Sequence, residues 1–186
     1  MANKDAAFGL KAIGKVGQNR DNQGLSEYSI AASATAIYQW DPVEMLATGT
    51  IGVAAAGDVL LGSLNGVFYT DASTSKPTWA NHLEASNTAT DIVGFVADDP
   101  YERFEIQSAG TVAQTNIGNC ADIAYTAGAA PNYISKVEIS GTMADTAAQL
   151  KIIGVSKDPD NNELGAANAN VIVTIAEHFL TQTAGI

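Results

Sequence analysis

The best metal-site candidate in the sequence is the acidic segment of residues 157–165, KDPDNNELG. Its side-chain oxygens, from Asp158, Asp160, Asn162 and Glu163, could coordinate calcium, which prefers oxygen ligands. The segment lacks the twelve-residue EF-hand spacing and the terminal bidentate Glu of that motif. Because Pro, Asp, Asn and Gly also build ordinary turns, we interpret it as a turn and predict no metal and no cofactor.

A second acidic cluster lies at residues 98–102 and contains Asp98, Asp99 and Glu102. Glycoside hydrolysis needs two carboxylates that face each other across a cleft, and adjacent positions in the chain do not supply that separation. The sequence Asp-Pro-Tyr is typical of a turn, here one that leads into a strand at Phe104. The cluster therefore favours a structural role over a catalytic one.

The other reactive side chains lack a catalytic context. His178 and Cys120 have no recognisable triad around them, so a histidine that ends a strand and a small buried cysteine are the simpler interpretations. The glycine-rich segments 49–57 and 62–66 do not have the spacing of a phosphate-binding loop or of a nucleophile elbow. We predict that the protein is not an enzyme and has no catalytic residues.

Short segments rich in β-branched and aromatic residues recur along most of the chain and are separated by turn signals. They predict a mainly β fold of β-barrel or β-sandwich modules with short antiparallel strands. Asn65-Gly66 is the strongest hairpin signal, because both residues tolerate positive φ. The pattern of residues 171–176 predicts a central strand covered on both faces. Residues 143–150 fit a short helix as well as irregular chain.

We divide the chain into an extended N-terminal arm, residues 1–26, and a β-rich body, residues 27–186. The body could consist of two β halves with a boundary in the Ser-, Thr- and Asn-rich segment 71–89, where Pro77 interrupts pairing and Trp79 could anchor the loop. In the arm, four glycines interrupt any helix, and the apolar residues follow no single period.

The energetics of the arm call for a partner. Burying its four apolar side chains would contribute at most about 12 kcal/mol, whereas ordering about 25 backbone residues costs roughly 25–50 kcal/mol. We therefore expect the arm to be disordered, or to be held by a partner surface that adds backbone hydrogen bonds, as in strand addition. The candidate partner-binding residues are its basic and apolar side chains: Lys4, Phe8, Leu10, Lys11, Ile13, Lys15 and Val16.

Charge is divided unevenly along the chain. Residues 1–20 hold four basic residues and one acidic residue, a net charge of +3, whereas residues 21–186 hold five basic and nineteen acidic residues, a net charge of −14. Such an acidic body repels phosphate, so we expect no nucleic-acid partner. No apolar run is long enough for a membrane span and the N-terminus does not fit a signal peptide, so we expect no membrane partner. The single cysteine excludes an internal disulfide.

The chain resembles the capsid decoration, or cement, proteins of tailed phages, especially phages of marine and cyanobacterial hosts. The segments that carry the resemblance are spread over nearly the full length: MANKDAAFGLKAIGKVGQN at the start, GVFYTD (66–71), TSKP (74–77), DDPYE (98–102), ANANV (167–171) and EHF (177–179). None of them carries chemistry, so the resemblance indicates a type of protein rather than an active site.

This resemblance implies a virion structural protein that is synthesised in the host cytoplasm and binds the outer surface of the icosahedral capsid. There it would clamp neighbouring major capsid subunits, and it would associate with itself as a closed cyclic oligomer, a homotrimer or alternatively a dimer. Two other classes stay open. Aromatic residues such as Trp79, Tyr101 and Tyr133 would suit a tail or fibre module that binds host-surface glycans. A small carbohydrate-active enzyme would need converging polar residues, which the sequence does not offer.

Overall fold

The protein is described by a computed structural model that covers residues 2–17 and 24–183. The mainly β fold with antiparallel sheets that the sequence predicts is confirmed. In chain order the strands are β1 (Lys11–Lys15), β2 (Ser26–Ser29), β3 (Pro42–Met45), β4 (Ile51–Val53), β5 (Leu60–Thr70), β6 (Pro77–Ala80), β7 (Val93–Ala97), β8 (Glu102–Gln107), β9 (Cys120–Ala121), β10 (Ile123–Ala124), β11 (Glu138–Ile139), β12 (Leu150–Val155) and β13 (Asn170–Ile175). Among the described residues, two short 3-10 helices span Gln114–Asn116 and Phe179–Thr181.

The strands form two large sheets that use the chain differently. The six-stranded sheet has the order β2-β7-β5-β3-β4, with β6 added to β5, and comes entirely from the contiguous residues 26–97. The five-stranded sheet has the order β1-β8-β13-β12-β9, so it joins the N-terminal strand to strands from the second half of the chain. Strands β10 and β11 form a separate small pair. Within the described residues, no helix is long and apolar enough to cross a bilayer.

Two hydrophobic cores stabilise these sheets. The first core contains Phe104, Leu150 and Val173 of the five-stranded sheet, and the second contains residues such as Val43 and Val96 of the six-stranded sheet. Strand β5 contributes to both, since Leu60 lies in the first core and Leu61 in the second. Successive side chains of a strand point to opposite faces, so β5 joins the two cores.

The hairpin predicted at Asn65-Gly66 is wrong. Both residues lie within β5, which continues past them, and a register shift between Leu64 and Gly66 marks a bulge in its pairing with β7. A Cβ at Gly66 would lie 3.2 Å from Cζ2 of Trp79 and 3.0 Å from the Ala80 carbonyl oxygen. The glycine therefore serves close packing rather than a turn, a use that local turn preferences do not distinguish.

Two further expectations have mixed outcomes. The central position of the strand at residues 171–176 is confirmed, because β13 lies between β8 and β12. The two faces of β13 are not equally covered: Val171 and Val173 on one face are fully buried, while Ile172 and Thr174 on the other are partly exposed. Residues 143–150 form no helix; Ala144 bridges to Cys120, so sheet pairing replaces the local helical preference.

After β2 the chain stays in the six-stranded sheet as far as Ala97 and passes to the five-stranded sheet at residues 98–101, between β7 and β8, so segment 71–89 lies before this change. That segment belongs to the six-stranded sheet and its core. Pro77 does not interrupt pairing, because it is the first residue of β6, opposite Thr70 of β5. Leu83 is fully buried in the second core. Proline is tolerated at the first position of a strand. The polar composition of the segment hides the fact that residues such as Leu83 anchor it to the core.

Candidate partner-binding surfaces

Side-chain amides of the body hold the first residues of the N-terminal segment in place. Gln107 accepts a hydrogen bond from the Ala6 amide at 2.9 Å and donates one to the Lys4 carbonyl oxygen at 2.9 Å. Asn161 donates to the same Lys4 carbonyl oxygen at 2.7 Å. Both amide side chains are buried, so the backbone of residues 4–6 has partners that the sequence does not reveal.

The predicted turn at residues 157–165 contributes to this attachment. Asp158 accepts a hydrogen bond from the Asp160 amide at 3.0 Å, which is a turn contact, and Asp160 forms an ion pair with Lys4. Asn3 exchanges hydrogen bonds with the backbone of Glu163. No group of three or more His, Cys, Asp or Glu in residues 2–17 and 24–183 is arranged to hold a metal ion.

Leu10 anchors the segment to the first core. Its side chain is fully buried, its amide donates to the Trp40 carbonyl oxygen at 2.8 Å, and its carbonyl oxygen accepts from the Ser63 hydroxyl at 2.5 Å. The preceding residue, Gly9, has a φ of +82°, and a Cβ there would lie 2.4 Å from Cβ of Ser135. Glycine is thus required where the chain enters the body.

Strand β1 then pairs with β8, with Lys11 opposite Glu105 and Lys15 opposite Glu102. Lys15 also forms an ion pair with Asp99 at 2.5 Å. The hydrogen bond between these two side chains raises the pKa of Lys15 and lowers that of Asp99. The expectation that the arm needs a partner molecule for order is therefore wrong for residues 2–17, because the body of the same chain supplies the missing backbone and amide hydrogen bonds.

The seven predicted partner-binding residues have different environments. Leu10 is buried, Phe8 and Lys15 are partly buried, and Lys4 is exposed but paired with Asp160. The Lys11 ammonium lies 5.4 Å above the Trp40 ring, a cation–π arrangement. The exposed residues of β1 and its continuation form what we call the N-terminal edge: Lys11, Ile13 and Val16. In the described part of the chain, β1 has a partner strand on one side only.

A second surface lies on the outward side of the six-stranded sheet; the sequence points to its Trp79 as an aromatic residue suited to glycan binding, but not to Phe68 or Phe95. Trp79 is 58% exposed and Phe68 is 40% exposed, and the two stand opposite each other on β6 and β5. The Trp79 ring packs against Phe95 of β7, with 4.7 Å between ring centroids. We call Phe68, Trp79 and Phe95 the aromatic face. The alternation of exposed Phe68 with buried Val67 is a signal for this face, whereas the polar composition of segment 71–89 predicts a loop around Trp79.

The acidic cluster at residues 98–102 lies at the junction of the sheets and binds neighbouring strands. Asp98 accepts hydrogen bonds from Ser26 at 2.9 Å and from Tyr28 at 2.6 Å, and burial raises the pKa of Tyr28. Asp99 accepts from the Tyr101 amide in addition to its contact with Lys15. Nearby His178 is buried, which lowers its pKa. Both carboxylates thus hold strands together.

No protein-family model matches this chain, and no significantly similar curated protein or solved structure was found. A function is therefore proposed from the residues of the N-terminal edge and of the aromatic face.

Proposed function

We propose that this protein is a structural component of a tailed-phage virion with a binding role rather than a catalytic one. It attaches to the outer surface of the capsid and clamps neighbouring major capsid subunits. The observation that carries the proposal is the N-terminal edge, where a strand anchored by buried Leu10 presents exposed Ile13 and Val16. The charge division of the chain and its resemblance to decoration proteins support the same role.

Strand addition is the mode of binding that suits such an edge. An edge strand has unpaired backbone groups on one side, and an extended segment of a partner can pair with them. Burial of Ile13 and Val16 would add apolar contact, while Lys11 would favour an acidic partner surface. The acidic body has the opposite charge, which disfavours binding in other orientations and keeps decorated particles apart.

Incubation with undecorated capsids, followed by cryo-EM, tests the proposal. We expect density at symmetric lattice positions. The variant Ile13→Glu should lower capsid affinity by about tenfold or more, since a charge would replace a buried apolar contact. Ile153→Glu is a matched control, because Ile153 is 39% exposed and Ile13 is 37% exposed. Absence of wild-type density would contradict the function, and equal losses in both variants would exclude the N-terminal edge.

Attachment to the capsid would be combined with self-association of the protein. We propose a closed cyclic oligomer, a homotrimer with a dimer as the alternative, because closed symmetry is usual for soluble homo-oligomers and capsids offer matching axes. We propose no nucleic-acid and no membrane partner. Light scattering at high protein concentration measures the oligomeric state, and a monomer both in solution and in the capsid density would contradict it.

A further inference from the structure

The aromatic face is a row of side chains across adjacent strands. Phe68 of β5 stands opposite Trp79 of β6 on one side and opposite Val93 of β7 on the other. Phe95, two residues beyond Val93, points to the same side of the sheet because side chains alternate. Neighbouring strands lie about 4.8 Å apart, so these side chains form one shallow apolar platform.

Gly66 fixes the position of the most exposed ring. It lies opposite Phe95 in the register, and its missing Cβ leaves room for Trp79, whose Cζ2 would be 3.2 Å from that atom. Trp79 therefore lies across Gly66 onto Phe95 while 58% of it stays exposed. A large ring held by packing loses little conformational freedom when a ligand binds.

Hydrogen-bond acceptors border this platform. Glu27 of β2 is exposed and lies opposite Phe95, and Ser29 lies opposite Val93. Asp91, two residues before Val93, accepts hydrogen bonds from the Thr70 amide at 3.1 and 3.2 Å. Hydrogen bonds from Thr70 lower the pKa of Asp91, so this carboxylate is ionised at neutral pH.

The charges on this face select among ligand classes. An apolar protein surface laid over the aromatic row would bury the carboxylates of Glu27 and Asp91, at a cost, and the centres of protein interfaces are depleted of charged residues. An anionic polymer would be repelled by the same carboxylates and by the acidic body. A neutral sugar has both an apolar ring face, which packs on an aromatic ring, and hydroxyl groups, which donate to carboxylates.

We propose that the aromatic face binds a neutral oligosaccharide. A sugar ring packs on Trp79 between Phe68 and Phe95, and its hydroxyl groups donate hydrogen bonds to Glu27 and Asp91. This activity does not depend on capsid attachment, because the N-terminal edge belongs to the other large sheet. A protein that binds a capsid through one sheet and a glycan through the other would attach particles to a sugar-coated surface.

Tryptophan fluorescence gives a direct test, because the chain has two tryptophans and Trp40→Phe leaves Trp79 as the reporter. An array of neutral glycans is screened first, and cellohexaose, maltohexaose and chitohexaose are titrated together with the best array ligand. We expect saturable binding of at least one neutral probe. By calorimetry in the otherwise native chain, Trp79→Ala should weaken it by about tenfold or more, and Glu27→Gln by a smaller factor. Tyr101→Ala, another exposed aromatic residue, serves as the control and should leave binding unchanged.

The same variants separate this inference from the proposed function. Trp79→Ala should bind capsids normally, and Ile13→Glu should bind the glycan normally. The inference is overturned if no neutral glycan of the array binds, if Trp79→Ala binds as well as the native chain, or if a heparin hexasaccharide binds more tightly than every neutral probe. Loss of capsid binding in Trp79→Ala would instead assign the aromatic face to a protein interface.

Discussion

The six-stranded and five-stranded sheets are assembled from the chain in different ways. The first uses the contiguous residues 26–97, so each of its strands pairs with another strand of the same stretch. The second takes β1 from the N-terminus, and the hydrogen bonds that hold this segment join residues 30 to 164 positions apart, from Leu10–Trp40 to Asn3–Ala167. Contacts of that separation close long loops at an entropic cost, so they depend on anchors formed by the rest of the fold.

The largest effect is expected where the distant segment enters the first core. Leu10→Ala should lower the free energy of unfolding by about 2–5 kcal/mol, because it leaves a cavity at a fully buried position. Ile13→Ala, at an exposed position of the same segment, should lower it by less than about 1 kcal/mol. Urea denaturation measures both. If both variants lowered the free energy of unfolding by a similarly small amount, the N-terminal segment would not contribute to the body's stability.

The contiguous sheet contains a buried carboxyl group immediately before β3. Burial raises the pKa of Asp41 to about 6 from 3.8, against the opposing effects of nearby Ser135 and of the hydrogen bond from the Tyr38 amide. As pH rises through this window, the unfolded chain releases the proton before the folded one, so Asp41 destabilises the fold by roughly 3 kcal/mol above pH 6. As pH rises from 4 to 6, the native chain should therefore lose that amount of free energy of unfolding through Asp41, whereas Asp41→Asn should not.

Other carboxyl groups also make the free energy of unfolding depend on pH. They are present in both the native chain and Asp41→Asn, so their effects cancel when the two free energies are subtracted. The measurement is urea denaturation of Asp41→Asn and of the native chain at a series of pH values. A difference that does not change with pH would show that Asp41 is not buried as described.

The amide network of the distant segment is the next test. Gln107→Leu removes the acceptor of the Ala6 amide, and should lower the free energy of unfolding by about 1–3 kcal/mol. It should also speed hydrogen exchange at Ala6, which a general loss of packing would not do selectively. Gln114→Leu, at an exposed glutamine, should do neither. Unchanged exchange at Ala6 in Gln107→Leu would contradict the network.

The smallest effects concern the ion pairs of the same segment. Lys15 and Asp99 have side chains that are 13% and 31% exposed, so Lys15→Gln should lower the free energy of unfolding by at most about 1 kcal/mol, and less at high salt. Lys4 and Asp160 are 68% and 48% exposed, and Lys4→Gln should cause no measurable change. Thermal denaturation at low and high salt compares the two. A larger effect of Lys4→Gln than of Lys15→Gln would contradict the expectation that the less exposed ion pair contributes more to stability.

Local sequence patterns were most informative where pairing is sequential or burial is periodic. The apolar pattern of residues 171–176 predicts the central position that β13 has in the five-stranded sheet. Patterns failed at Asn65-Gly66, because a glycine that fits a tight turn also fits beneath an aromatic ring. They failed again at Trp79, because polar neighbours concealed a short strand.

The sequence by itself determined the mainly β class, the division of charge and the identity of the apolar side chains in the N-terminal segment. Only the tertiary structure decided which face of the N-terminal segment is covered, so that Leu10 is buried while Ile13, three residues on and therefore on the opposite face, is exposed. It also decided that β8 pairs with β1. A strand's pattern states which of its faces is apolar, but the identity of its partner depends on backbone and amide groups brought near by distant parts of the chain.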